Sequence, residues 1–260
     1  MTSKPSPNER IIPAKPARKP RVILFDLETN NLRADFGWIL CASWMLLDED
    51  RPKTISLRHF PTLWKQDPTN DKKVALALYD VLCSADVIVA HYGQRFDRKF
   101  TNTRLLKWGL PGLPPIPLVD TWRIAKENLA LSSNRLKSIE RFFELDQTED
   151  GFKKTELSAD AWRRAPTGHL PSLKYVEEHC EADVIQLKKV YLKLRGMSTT
   201  HPNLSVVTEL DGCPICGTVG LLSRHGTRIA RTGIAQRYFC KACRGYSHSP
   251  YKRIGEVHTR

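Results

Sequence analysis

From Arg21 onward the chain alternates between short apolar runs and amphipathic stretches, and their order outlines an architecture. Residues 22–25 form a short apolar run, 39–47 a longer one, and 54–60 a third with alternating character; all three read as strands. Helical spacing follows over 72–83, then an apolar strand over 86–90 and a helix over 96–107. After a proline-rich loop come a strand over 116–119 and helices over 121–127, 135–144 and 170–195. Strands first, then strands alternating with helices, predict an α/β fold: a mixed sheet flanked by helices, occupying residues 21–197. Residues 1–20 carry five prolines and no apolar periodicity, so a flexible basic arm is expected there. Residues 198–209 read as a linker, 210–250 as a small β module and 251–260 as a basic tail.

Charge changes the picture. The formal net charge is +13, with +5 in residues 1–22, +6 in residues 201–260 and only +2 between them. A nearly neutral centre between two basic ends predicts nucleic acid as partner, although a basic arm can also serve solubility alone. No apolar run is long enough to span a bilayer, so no membrane association is expected. The N-terminus has no apolar segment after its positive charges, and its prolines would break an amphipathic targeting helix; neither secretion nor organelle import is expected. Seven cysteines include two C-x-x-C pairs; Cys41, Cys83 and Cys180 are left over without matching partners. That remainder argues for a reducing, intracellular setting, cytoplasmic or nucleoid-associated.

Three acidic segments carry the candidate chemistry. Asp26 and Glu28 follow the first apolar run two residues apart, so both carboxylates face one side of a strand end while Leu27 turns into the core. Asp97 stands where an apolar strand passes through a glycine-containing turn into a helix, a position that also suits an ordinary first-turn acid. His179 and Asp183 are four apart in the last long helix and share one of its faces. Asp120 precedes another helix, as a cap or as a further acid.

In this order, Phe25-Asp26-Leu27-Glu28-Thr29, His91-Tyr92-Gly93-x-x-Phe96-Asp97 and His179-x-x-x-Asp183-Val184 resemble the motifs of DEDD-type 3′–5′ exonucleases of the ribonuclease H-like superfamily. The likeness spans roughly residues 21–195. It is nearest to the branch holding proofreading domains of family B polymerases and uncharacterised ribonuclease H-like domains. Asp120-Thr121-x-x-x-Ala125-Lys126 and Asn134-Arg135-Leu136-Lys137-Ser138 fit that branch too. Two positions depart from it: His91 stands where an asparagine is usual, and His179 occupies a position usually held by tyrosine. The resemblance implies Asp26, Glu28, Asp97 and Asp183 as ligands of two Mg²⁺ or Mn²⁺ ions, and His179 as candidate base. Such ions prefer carboxylate oxygens, and an imidazole titrating near neutrality can take the proton of an attacking water.

Cys213-x-x-Cys216 and Cys240-x-x-Cys243 have the spacing of two knuckles that together supply four thiolates to one structural zinc; a redox C-x-x-C ordinarily comes singly. Strands are expected over 219–223 and 235–239. The segment resembles zinc ribbons of transposase-associated and phage DNA-binding proteins. Arg224, Arg228, Arg231, Arg237, Lys241 and Arg244 are its candidate nucleic-acid contacts, with a purely structural or protein-docking role as the alternative.

The expected function is metal-dependent 3′–5′ hydrolysis of DNA or RNA ends. The alternatives are a non-catalytic nucleic-acid adaptor and a structure-selective endonuclease on the same fold. No sequence feature selects a partner among replication or repair machinery.

Overall fold

The computed structural model describes residues 18–145, 158–208, 211–231 and 233–252. The elements in chain order are β1 (Val22–Thr29), β2 (Ile39–Leu46), β3 (Lys53–Ser56), α1 (Pro61–Gln66), α2 (Lys72–Cys83), β4 (Val87–Ala90), α3 (Asp97–Lys107) and β5 (Leu118–Asp120). They continue with α4 (Thr121–Asn128), α5 (Leu136–Phe142), α6 (Ala159–Arg164), α7 (Leu170–Leu194), α8 (Ser205–Thr208), β6 (Leu222–Ala230), β7 (Gly233–Cys240) and β8 (Tyr246–His248).

The first five strands form one mixed sheet in the order β3-β2-β1-β4-β5. β1 pairs antiparallel with β2 and parallel with β4, which puts it at the centre. Strand alternation divides its side chains between two cores. Ile23, Phe25 and Leu27 pack with Val74, Leu78 and Leu82 of α2 and with Phe100 and Leu105 of α3. Val22 and Leu24 pack with Ile124, Ile139 and the C-terminal half of α7: Val184, Leu187, Val190, Tyr191 and Leu194. Asp26 and Glu28 continue the Val22–Leu24 side, and α7 packs along both β1 and β2. A 25-residue helix across a central strand therefore meets the first acidic pair.

One buried ion pair locks this layout. Arg104 of α3 makes two 2.8 Å bonds to the carboxylate of Asp71, the residue before α2. Asp71 also accepts from Trp108 Nε1 at 2.7 Å and from the Ile39 backbone at 2.8 Å. Arg104 further donates to Gly37 O at 2.7 Å, so α2, α3 and the start of β2 share one polar centre.

Several boundaries differ from the sequence expectation. β1 runs past the apolar run through Asp26 and Glu28, which close the strand as expected, and extends to Thr29 because β2 pairs with it that far. The strand expected over 54–60 stops at Ser56, whose side chain caps a 3-10 turn over Leu57–His59; Ser56 also bonds Glu177 of α7. α1, α6, α8 and β8 were not expected. α8 falls inside the stretch read as a linker. At the arm's end Arg18 pairs with Asp86, and Lys19 lies 2.7 Å from Asp48, so residues 18–19 are pinned to the sheet. The rest of the arm and residues 253–260 of the tail lie outside the described residues.

β6, β7 and β8 make a second, three-stranded antiparallel sheet beside the four-cysteine cluster. It seats on the end of α7 by backbone contact. A Cβ on Gly196 would meet Cys243 O at 2.5 Å and Gly245 N at 3.0 Å, so glycine is needed for this approach. The Leu204 N–H donates to Pro214 O at 2.7 Å on the other knuckle. Among the described residues no helix is long and apolar enough to cross a membrane.

Candidate metal centres

The sheet presents its acids where three elements converge. Asp26 and Glu28 stand on β1, Asp97 opens α3, and His179 and Asp183 lie on α7. Ligand atoms of Glu28, His179 and Asp183 all fall within 4.8 Å of one another, a spacing at which one ion can touch all three. His179 Nε2 lies 3.6 Å from Asp183 Oδ2, which follows from their i,i+4 relation on one helical face.

Asp26 adjoins this group. Its carboxyl is pushed well above the usual carboxylate range, first by burial and then by the charges of Asp97, Glu28 and Asp183; the nearby Cys180 thiol opposes the shift. Cys180 Sγ stands 3.5 Å from both Asp26 Oδ2 and Asp26 O. Asp97 is 3 % exposed, and burial raises its carboxyl to about 7. Its own N–H and that of Leu27 favour the charged form, while Asp120 adds a like charge. The Leu27 N–H lies past the point where β4 leaves β1, since that pairing ends at Leu24, and the Asp97 carboxyl takes the place of a strand partner.

An Asp26 carboxyl whose ionisation is made costlier by Asp97, Glu28 and Asp183 sits in a poor charge arrangement alone and a suitable one for hard cations. Oxygen donors of this kind, with one imidazole, fit Mg²⁺ or Mn²⁺. The donor set therefore suits the ions expected from the sequence.

Trp162 of α6 is the neighbour that sequence reading missed. Its Nε1 donates to Glu28 Oε2 at 3.1 Å, and its ring meets the His179 ring edge-on at 5.1 Å. The only sequence signal was Ser158, which caps this six-residue helix by accepting from Ala161 N. Asp120, by contrast, is occupied structurally. It caps α4 through Trp122 N and Arg123 N, and also accepts from Tyr92 N at 2.9 Å and Gln94 N at 3.1 Å. These bonds hold the turn leading to Asp97, with Tyr92 in the left-handed region at φ 65°. His91 links the same turn to Thr121 Oγ1 and Asn134 O, both at 2.9 Å.

Cys213, Cys216, Cys240 and Cys243 converge as the second candidate centre. The sulfurs of Cys213 and Cys243, and those of Cys216 and Cys240, are 3.7 Å apart. Two thiolates bound tetrahedrally to zinc at about 2.3 Å would stand about 3.8 Å apart, so the cluster fits a structural zinc. All seven cysteines are unbridged. Arg224 and Arg228 on β6, Arg231 after it, and Lys241 and Arg244 at the second knuckle are exposed. Arg237 is half-buried; its Nε donates to His225 O at 2.9 Å and its guanidinium lies 5.8 Å from the Tyr246 ring centroid.

The chain resembles known proteins. It is 28% identical, over 153 residues, to a DNA polymerase III PolC-type from Ureaplasma parvum serovar 3, a match covering 53% of this chain and 10% of that protein. Among solved structures, the family B DNA polymerase of the hyperthermophilic archaeon Pyrobaculum calidifontis superposes with a TM-score of 0.52 at 16% identity, over 74% of this chain and 27% of that one. The chain thus spans about a tenth of the curated relative, and the structural likeness concerns the fold alone. The RNase_H_2 family model, of the RNase_H superfamily, matches residues 23–195, the span that holds the sheet and its acids, and the chain belongs to that superfamily.

Proposed function

We propose that the protein is a metal-dependent 3′–5′ exonuclease acting on DNA or RNA ends. The observation that carries this reading is the convergence of Glu28, His179 and Asp183 within 4.8 Å, beside an Asp26 carboxyl crowded by Asp97, Glu28 and Asp183. Two divalent ions, when bound, supply an activated water and relief of charge on the leaving oxygen. Asp26, Glu28, Asp97 and Asp183 hold them, with Asp26 central because it lies on the middle strand between the other contributors. His179 takes the proton of the attacking water, and the Trp162 ring, edge-on at 5.1 Å, packs against the imidazole. Trp162 fixes Glu28 through its indole N–H. The curated relative bears a DNA polymerase name, which favours DNA as substrate.

The four cysteines hold a structural zinc, and the ribbon around them, over residues 210–250, adds a basic grip for nucleic acid next to the catalytic domain over 21–197. Asp26→Ala and Asp183→Ala, assayed on end-labelled oligonucleotides with Mg²⁺ or Mn²⁺, should abolish degradation. Undiminished metal-dependent degradation in both variants refutes the assignment.

A further inference from the structure

The second sheet has two unlike faces. On one, Leu222 opposite Cys240 packs into the cluster of cysteines with Ile215. On the other, cross-strand pairing sets Phe239 of β7 against Tyr246 of β8, and the two-residue alternation adds Arg237 and His248 to the same side. His225 reaches them from the irregular part of β6, where the register shifts between Arg224 and Thr227. The three rings touch: His225 to Tyr246 at 5.2 Å, Phe239 to Tyr246 at 5.1 Å and His225 to Phe239 at 6.0 Å. A further pair, His248 and Tyr251, lies 5.0 Å apart beyond them.

These rings do not form a closed miniature core. Tyr246 is 51 % exposed, Tyr251 38 %, and His225 and His248 are also exposed. Seven cations lie between residues 211 and 252, namely Arg224, Arg228, Arg231, Arg237, Lys241, Arg244 and Lys252, and the Arg237 guanidinium lies 5.8 Å from the Tyr246 ring centroid. Asp211 is the sole acid in that span. An acidic polymer is therefore the complementary occupant, and exposed ring faces add a demand that phosphate alone does not meet. Bases in a duplex are stacked on each other and offer their faces to nothing else, whereas unpaired bases can stack on aromatic side chains whatever their sequence.

We infer that this face, centred on Tyr246 with His225 and Phe239, binds single-stranded nucleic acid by base stacking, while Arg237 and the other arginines of the ribbon hold its backbone. The inference takes the polymer's identity from the nuclease reading, but it concerns a second site on the other sheet. It is tested without hydrolysis, so either can fail without the other.

The test is fluorescence anisotropy of the zinc-loaded full chain, without Mg²⁺ or Mn²⁺. The probes are a labelled oligothymidylate and a blunt duplex of equal length. Tyr246→Ala should weaken oligothymidylate binding by about tenfold, the effect of losing one stacked base, and change duplex binding less than about twofold. Tyr246→Phe should retain wild-type affinity because the ring face remains. Arg237→Gln should lower the salt dependence of binding to both probes. Equal loss on both probes, no loss on either, or failure of the wild type to prefer the single strand overturns the proposal. Zinc content and circular dichroism confirm that each variant is folded.

Discussion

The Nε1 of Trp162 donates to Oε2 of Glu28 across 134 positions of sequence, tying a six-residue helix to a carboxylate on the central strand. Groups that orient a metal ligand in this way typically matter by roughly ten- to a hundredfold in metal affinity. Trp162→Phe keeps the ring against His179 and removes the donor. The Mn²⁺ concentration needed for half-maximal cleavage should rise by about that factor, with cleavage at saturating metal largely restored. An unchanged metal requirement would show that Glu28 is held by other contacts.

Asp26 and Asp97 predict a pH dependence with a definite sign. Both carboxyls are raised by burial, Asp97 to about 7, whereas unfolded aspartate titrates near about 4. The folded metal-free protein thus binds more protons than the unfolded chain between those values. Its stability should be greatest below the unfolded value and decline as pH rises towards 7. Ions that bind the deprotonated carboxylates should reverse the decline. Melting temperature recorded from pH 4 to 8, with and without Mn²⁺, checks both parts. Metal-free stability rising through this window would contradict the burial of these acids.

The Arg104–Asp71 pair should be the most sensitive polar contact in the fold. Its side chains are 1 % and 0 % exposed. Asp71→Ala leaves the guanidinium buried without its partner, a loss of about 3–5 kcal/mol. Replacing both, with Arg104→Met, should recover part of that loss, as urea unfolding would show. A deletion costing under about 1 kcal/mol would mean that water or the Gly37 carbonyl already satisfies Arg104.

Gly196 is a direct handle on the seat of the second sheet. A Cβ there would meet the Cys243 carbonyl at 2.5 Å, and that neighbour is backbone. Gly196→Val should loosen the ribbon from α7, making residues 198–209 more open to limited proteolysis while zinc content is kept. A proteolysis pattern identical to the wild type would show that the seat tolerates displacement. This contact also limits the notion of a freely separable ribbon, because deleting it uncovers the end of the helix that carries His179 and Asp183.

Much of this architecture was legible because its periodicities are strong. The alternation Val22, Leu24, Asp26, Glu28 predicts one face, and α7 extends over the residues expected, shorter by one. The four cysteines declare themselves by spacing. What was not legible depends on tertiary partners. β6 was expected over 219–223 but occupies Leu222–Ala230, where most residues are exposed on both faces and no apolar alternation marks a strand. Trp162 lies in a helix too short to show periodicity, and its role exists only where α6 meets β1. The Asp71–Arg104 pair is likewise invisible, since residues 33 positions apart carry no mutual signal. The 54–60 strand was overextended because apolar alternation continues past Ser56, while the capping contact with His59 ends it.

The central claim is tested most directly by the product ladder from a 5′-labelled single strand, with its 3′ end either free or chemically blocked, in the presence of Mn²⁺. A 3′–5′ exonuclease centred on Asp26, Glu28, Asp97 and Asp183 predicts stepwise shortening of the free strand, an intact blocked strand, and no products from Asp26→Asn. Internal cleavage of the blocked strand, or an unchanged ladder from Asp26→Asn, would contradict it.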